Sequence, residues 1–307
     1  MESRLTRTDY IFSLILVFML VCVAGAFFFG FQIGQNRAEA EFLAKTAPQE
    51  EAAARPGAYD QQYLVSFYHT IYAPYREFTN RWFDKMKELE LQNGVDASAV
   101  MKELSKSADE KYSALANAAT SDTSPLLGEA HQNLVKSMKL FAQTTKQYQS
   151  KANAMKPGAL IEEIDGDSYT REAKKLALQA QQQYYTAIVK WNETIEAEVK
   201  GVKLLEQPNL TAKDWSQMNL NVKNAAVSSI ILKDQRFGPQ YPQDMTVRVD
   251  EMLSNGQAKK MNLNDIESIV NVLIDTNAAR KGDYISSKEK WYSGETIPQL
   301  PFFYENK

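Results

Sequence analysis

The sequence contains very few of the side chains that hold transition metals or act as strong nucleophiles. Its 307 residues include one cysteine, Cys22, and two histidines, His69 and His131. The chain after Cys22 therefore has no disulfide, no thiol nucleophile and no cysteine-based zinc site. It also lacks a paired-histidine zinc motif, a phosphate-binding glycine loop, a nucleophile elbow and a dinucleotide-binding fingerprint. We expect no catalytic residue, no metal site and no cofactor.

An excess of charge of one sign is also missing. The chain carries 35 lysines and arginines against 38 aspartates and glutamates, a net charge of −3. A nucleic-acid-binding face would need a strongly basic surface, so we expect no nucleic-acid partner. Apolar residues make up 44% and charged residues 24% of the chain, which is ordinary for a globular protein. The composition predicts a folded chain rather than a disordered one.

One long apolar segment, Ile11 to Phe31, stands out against this polar background. It contains no charged residue, and as a helix rising ~1.5 Å per residue it would cover the ~30 Å hydrocarbon core of a bilayer. Cleaved signal peptides have apolar cores of about 7–15 residues, which favours an uncleaved signal anchor over residues 11–34. The small-x-small pattern at residues 38–40 leaves cleavage as an alternative. We expect residues 1–10 in the cytoplasm and the C-terminal domain outside the cell membrane, as a single-pass integral protein.

The predicted membrane helix has small residues at intervals of four: Ala26, Gly30 and Gly34. This spacing places them on one stripe, where two helix backbones can approach closely. The stripe is compatible with a homodimer through the membrane helix, although it does not require one. The alternative is chance, because glycine and alanine are common in such helices.

The remaining sequence predicts an all-α fold. Residues 35–58 form a linker rich in alanine and glutamate, residues 59–206 an elongated antiparallel bundle of long helices, and residues 207–307 a smaller helical unit. Apolar residues recur every three or four positions in the bundle, with tyrosine, threonine and alanine mixed in, which favours a globular bundle over a strict coiled coil. The predicted bundle helices are Asp60–Gln92 with a kink at Pro74, Ala97–Ala119, Leu126–Met155 and Ser168–Lys200.

The smaller unit shows shorter patterns. Thr211 and Asp214 have the spacing of a capping box and should begin a helix that carries Trp215 to Ile230. Further helices are predicted at about Gln243–Ser254 and from Asn264 to about Ala279. The tail, residues 283–307, contains prolines and many aromatics without helical period. We expect these aromatics to pack back on the bundle, with docking on a partner as the alternative.

Two clusters could bind a partner or an ion. The first bundle helix is crowded with aromatics on more than one face, and Tyr72, Arg76, Arg81 and Phe83 are the candidates for a ligand or partner surface. Burial on two sides of the helix is the favoured alternative. The acidic residues at 162–167 lack calcium-loop spacing and are more typical of a helix start.

These observations favour a non-enzymatic binding or scaffold protein of the cell envelope, with a protein partner. One alternative is a helical-bundle domain that senses a ligand and signals through a membrane partner. A second alternative is a helical hydrolase or lyase without a recognisable motif.

Overall fold

The computed structural model describes residues 57–91, 94–120, 123–207 and 209–304. The predicted anchor at residues 11–34, its stripe of Ala26, Gly30 and Gly34, and the linker as far as residue 56 lie outside these ranges. In the described ranges, no helix is both long and apolar enough to cross a membrane.

The fold is all-α, as predicted. Of the described residues, 74% are helical, and this part of the chain contains no β-strand. The first helices are α1 (Gln61–Phe67), α2 (Ala73–Leu91), α3 (Ala97–Ala116), α4 (Pro125–Gln149), α5 (Pro157–Gly166) and α6 (Ser168–Ile195). The later helices are α7 (Gly201–Leu205), α8 (Ala212–Ser216), α9 (Leu220–Lys233), α10 (Pro242–Ser254), α11 (Gln257–Lys260), α12 (Ile266–Asp275) and α13 (Asp283–Trp291). Short 3₁₀ turns cover Ala152–Ala154 and Pro301–Phe303.

The irregularity expected at Pro74 is a π-helical turn. Residues Tyr68–Tyr72 wind as a π-helix between α1 and α2, and the backbone N–H of Ala73 donates to the carbonyl of Tyr68, five residues earlier. Proline has no N–H and its ring crowds the carbonyl four residues before it. The wider π turn relieves this crowding, so the helical path continues through the proline instead of ending there.

Several predicted helix ends differ from the observed ones for local reasons. α6 ends at Ile195 instead of Lys200, and α4 ends at Gln149 before the 3₁₀ turn. Residues 157–166 form α5, where Pro157 occupies the first helical turn, a position in which its missing N–H costs nothing. Asp167 then caps α6 by accepting hydrogen bonds from the backbone N–H groups of Tyr169 and Thr170.

The capping box at Thr211 and Asp214 is confirmed, but the helix it begins is short. α8 ends at Ser216, and Asn219 starts α9 separately, because its side-chain oxygen accepts from the N–H of Val222 at 3.1 Å. α12 begins one residue later than expected, with Asp265 as its cap, and ends at Asp275. Helix α13 lies in a tail for which no helical period was predicted.

The two predicted helical units share one core. α4 packs against α3 and α6, while α9 packs against both α6 and α10, and α10 packs against α13. The described residues form a single compact unit, and buried residues from both sides of position 206 belong to one hydrophobic cluster. Most of the tail aromatics pack on the bundle: Phe303 is fully buried, and the ring centre of Phe302 lies 5.6 Å from that of Tyr68. Tyr304 is exposed.

Candidate functional site

The four residues predicted as a ligand or partner surface occupy different environments. Tyr72 and Arg76 are buried, with 2% and 8% of their surface exposed. Phe83 is half-buried, and its ring centre lies 5.2 Å from that of Phe237. Only Arg81 of the four is exposed. Much of the aromatic face of this first helical segment is therefore core, and Arg76 is the one charged group in it that needs a separate explanation.

Arg76 lies under the loop between α9 and α10. A terminal nitrogen of its guanidinium donates to the carbonyl of Pro239 at 3.2 Å, and its central carbon lies 4.0 Å from the centre of the Tyr241 ring. Burial opposes ionisation of Tyr241, but the Arg76 guanidinium, together with hydrogen bonding to Asn80 and the charge of Lys281, brings the pKa of Tyr241 below its ordinary value. Burial raises the pKa of Tyr72. The guanidinium is thus held by a carbonyl and an aromatic ring.

A second buried charged cluster surrounds Asp250. Its carboxylate accepts two hydrogen bonds from Nζ of Lys223, at 2.9 and 3.0 Å, one from Nε1 of Trp215 at 2.6 Å, and one from the hydroxyl of Tyr292. The Lys223 ammonium also lies 5.4 Å from the Trp215 ring centre. Burial, reinforced by Asp250, raises the pKa of Tyr292. Each carboxylate oxygen already has two donors, so this cluster links α8, α9, α10 and the tail as an ion pair internal to the fold.

An open groove lies beside the short helix α7. It has a volume of about 650 Å³ and is half-open to solvent. Its apolar lining comes from Val199, Leu204, Met218 and Val222, of which Met218 and Val222 are buried. The charged side chains that line it are exposed and of both signs: Glu198, Lys200, Lys203 and Glu206.

A glycine sets the position of α7 beside this groove. A Cβ atom on Gly201 would lie 2.6 Å from methyl groups of both Val189 and Val222, so the backbone of α7 rests directly on these two side chains. The contact between α6 and α7 also includes a hydrogen bond, in which Oε1 of Glu193 accepts from the N–H of Val202 at 3.0 Å. A second cavity of about 540 Å³ lies between α7 and the end of α6. The short helix α7 therefore borders both the groove and the second cavity.

Three asparagine side chains near the groove form hydrogen bonds within the protein. The side-chain amide of Asn219 donates to Oδ1 of Asn192 at 2.6 Å, while its oxygen caps α9. Asn221 also donates to Asn192, at 3.2 Å. The groove consequently offers a ligand an apolar floor and an exposed charged rim.

The groove was not predicted from the sequence. The pattern in Ser168–Lys200 suggested one continuous helix with Gly201 as its terminal cap. The one sequence feature that could have indicated the position of α7 is Gly201, because a glycine is needed where a backbone approaches neighbouring side chains closely. Which side chains it approaches depends on α9, more than twenty residues further along.

The described residues contain no group of three or more histidine, cysteine, aspartate or glutamate side chains that could hold a metal ion. A scan against protein-family models and searches of the curated proteins and of the solved structures find no match to this chain.

Proposed function

We propose that the protein is a membrane-anchored binding protein of the cell envelope and that its helical domain, outside the cell membrane, holds a protein partner in the groove beside α7. The observation that carries this proposal is the groove's combination of a buried apolar floor, Met218 and Val222, with an exposed rim of both charges. Protein interfaces commonly combine an apolar centre with a polar, solvent-accessible rim. The matching partner is a short amphipathic segment with apolar side chains flanked by charges.

The chemistry of the lining supports binding over catalysis. The charged groups of the groove are solvated, and the buried carboxylate of Asp250 already accepts four hydrogen bonds. Met218 contributes a flexible, polarizable side chain, which adapts to differently shaped partners. A groove of this kind supplies contact area and adaptability, the properties that a scaffold needs.

The place where the chain enters the domain fits a tethered protein. Tyr59, near the first described residue, lies with its ring centre 5.7 Å from Nζ of Lys190, and Lys190 lines the second cavity beside α7. Helix α7 and Tyr59 thus lie at the same end of the bundle.

A second candidate function is the sensing of a small ligand. Its specific support is the groove volume, about 650 Å³, which lies within the ~300–1,000 Å³ typical of small-molecule sites. A sensor of this kind would bind its ligand against Met218 and Val222 and pass the signal to a membrane partner.

Site-directed photocrosslinking in cells tests the protein-partner proposal. A photoreactive amino acid replaces Lys203 on the rim of the groove, and the matched control replaces Lys146, an exposed lysine on α4. We expect one discrete adduct from position 203 and none from position 146. Gly201→Val should abolish the adduct because its side chain would push α7 away from Val189 and Val222.

Gly128→Val provides the control for that variant, since a Cβ at Gly128 meets no atom within 4 Å. The adduct should persist in Gly128→Val. Equal adducts from positions 203 and 146, or an unchanged adduct in a folded Gly201→Val protein, would contradict the groove as the binding surface. Stabilisation by a small molecule that is lost in Gly201→Val, without any protein adduct, would instead support the sensor.

A further inference from the structure

Arg76 is a buried cation for which the described part of the chain supplies no carboxylate. Across the described residues, the charged or ionisable groups that act on its guanidinium are the tyrosines Tyr72, Tyr75 and Tyr241, and no carboxylate lies within ion-pair distance. The neighbouring acid in the sequence, Glu77, is exposed and pairs with Lys111. A guanidinium removed from water without a counter-charge is costly for the fold.

Two donor atoms at this place have no partner. Nε of Arg76 and the hydroxyl of Tyr75 are both buried and form no hydrogen bond of normal geometry, although the Ser137 side chain lies near enough to the Tyr75 hydroxyl to oppose the rise in its pKa. Both residues line one small cavity, together with Gln181, Arg236 and Gln240. The cavity has a volume of about 10 Å³, close to that of one water-sized probe. The side chain of Gln240 folds over Gly238, at a position that a Cβ on Gly238 would block.

The unpaired groups define the chemistry of an occupant. Nε–H and the phenolic O–H can donate, and the side-chain amides of Gln181 and Gln240 carry further donors. Arg236 brings a second guanidinium to the lining, although Asp275 already pairs with it. The cavity therefore combines donors with an uncompensated positive charge. A water molecule would accept these hydrogen bonds but would leave the charge of Arg76 unneutralised.

We propose that this cavity binds a small monovalent anion, chloride under physiological conditions, between Nε of Arg76 and the hydroxyl of Tyr75. A chloride ion accepts several hydrogen bonds and supplies the missing counter-charge; because it is larger than a water molecule, the half-buried Gln240 side chain over Gly238 would shift to admit it. The cavity is too small for a phosphate or a carboxylate-bearing metabolite. This site is separate from the groove beside α7 and does not depend on the function proposed for that groove.

Binding there would fasten the loop between α9 and α10 to the bundle. Arg76 and Tyr75 belong to α2, Gln181 belongs to α6, and Gln240 belongs to the loop. Arg76 already contacts the loop through the Pro239 carbonyl and the Tyr241 ring. An anion between these elements stabilises the arrangement in which all three meet, so the effect should appear as anion-dependent stability of the whole domain.

Thermal unfolding of the full-length protein in detergent tests the site. Chloride or bromide replaces gluconate at constant ionic strength, so that general screening stays the same. We expect the melting temperature to rise with halide concentration and to saturate, as required for one binding site. Arg76→Met should remove this dependence. Arg81→Met, at an exposed arginine on the same helix, should retain it.

Tyr75→Phe keeps the proposal testable if Arg76→Met fails to fold. Removal of one hydrogen bond to the ion should raise the half-saturating halide concentration by about tenfold. Crystals grown in bromide should show one anomalous peak between Arg76 and Tyr75. Equal melting temperatures in gluconate and halide would show that the cavity holds water only and would overturn the proposal. A halide effect that is the same in Tyr75→Phe and in the parent protein would overturn it as well.

Discussion

Two largely buried cations in the same domain interact with opposite kinds of partner. Lys223 is paired with Asp250 through two hydrogen bonds of 2.9 and 3.0 Å, and the ring of Trp215 lies beside it. Arg76 has a carbonyl at 3.2 Å and an aromatic ring at 4.0 Å, but among the described residues it has no carboxylate. The first cation is neutralised within the chain, while the second is only solvated by dipoles and a ring.

The difference separates a structural charge from a binding charge. In a low-dielectric interior, a cation and its carboxylate are fixed together, because removing either one leaves the other buried and alone. Such a pair tightens the fold and offers nothing to a ligand. A cation without a carboxylate keeps an attraction for an anion, and its unpaired Nε gives that attraction a direction.

Asp244 extends the comparison to a buried anion. Its carboxylate accepts a hydrogen bond from the N–H of Tyr284 at 2.9 Å, at the start of α13. No ion pair to Asp244 occurs in the described residues, and burial raises its pKa to about 6. Backbone donors therefore support this charge only in part, and protonation offers a second way to neutralise it.

The largest effect is expected when the paired cation loses its acid. Asp250→Leu leaves Lys223 buried without a counter-charge and should lower the free energy of unfolding by about 3–5 kcal/mol. Arg76→Met removes a cation that leaves no stranded acid behind, and it should cost no more than about 2 kcal/mol. Urea unfolding of both variants measures the two values. The comparison breaks if the two substitutions cost the same.

The matched control is the double variant Lys223→Met with Asp250→Leu, which removes both charges at once. Because neither charge is then stranded, the double variant should recover most of the stability lost in Asp250→Leu. A double variant as unstable as the sum of its two single variants would show that the pair does not act as one unit.

An intermediate effect is expected from pH at Asp244. The pKa of this group is about 6 in the folded protein, above its ordinary value, so the folded state binds the proton more tightly than the unfolded state. The contribution of Asp244 to stability should therefore rise as the pH falls from about 7 to about 4, by up to about 3 kcal/mol. The measurement is the unfolding free energy of the parent protein minus that of Asp244→Asn across this range.

Asp109→Asn, at an exposed position on α3, controls for the general effect of removing a carboxylate. The difference between the parent protein and Asp109→Asn should stay flat over the window in which the Asp244 difference changes. A flat difference for Asp244→Asn as well would mean that folding does not raise the pKa of Asp244.

The sequence pattern predicted the helices more reliably than the buried charges. Helical period depends on neighbours three or four residues apart, so α2, α3, α4 and α6 follow from the local pattern. The cap formed by Thr211 and Asp214 is equally local. Helix ends were less certain, since α6 stops at Ile195 where α7 needs room to cross α9.

The candidate sites depend on contacts between distant parts of the chain. The sequence marked Arg76 as unusual, but its partners Pro239 and Tyr241 lie more than 160 residues away. The spacing of residues in the sequence does not show that the loop with Pro239 and Tyr241 folds over α2. It also does not show that this loop brings no carboxylate to Arg76. The groove beside α7 likewise requires Val189 and Val222, which are distant in sequence, both to lie against Gly201.

The smallest effect is expected from a buried polar group without charge. The hydroxyl of Tyr185 donates to Oε1 of the buried Gln243 at 2.7 Å. Tyr185→Phe removes this hydrogen bond and should lower the free energy of unfolding by about 1–2 kcal/mol, because the Gln243 oxygen stays buried without its donor. Tyr169→Phe is the control on the same helix, with 48% of the residue exposed, and should change stability by less than about 0.5 kcal/mol. If Tyr185→Phe lowers the free energy of unfolding as much as Asp250→Leu does, then losing any buried hydrogen-bond partner is enough to explain the difference between the Lys223 and Arg76 variants. A clearly smaller cost assigns that contrast to charge, which is the property that makes Arg76 a site for an anion.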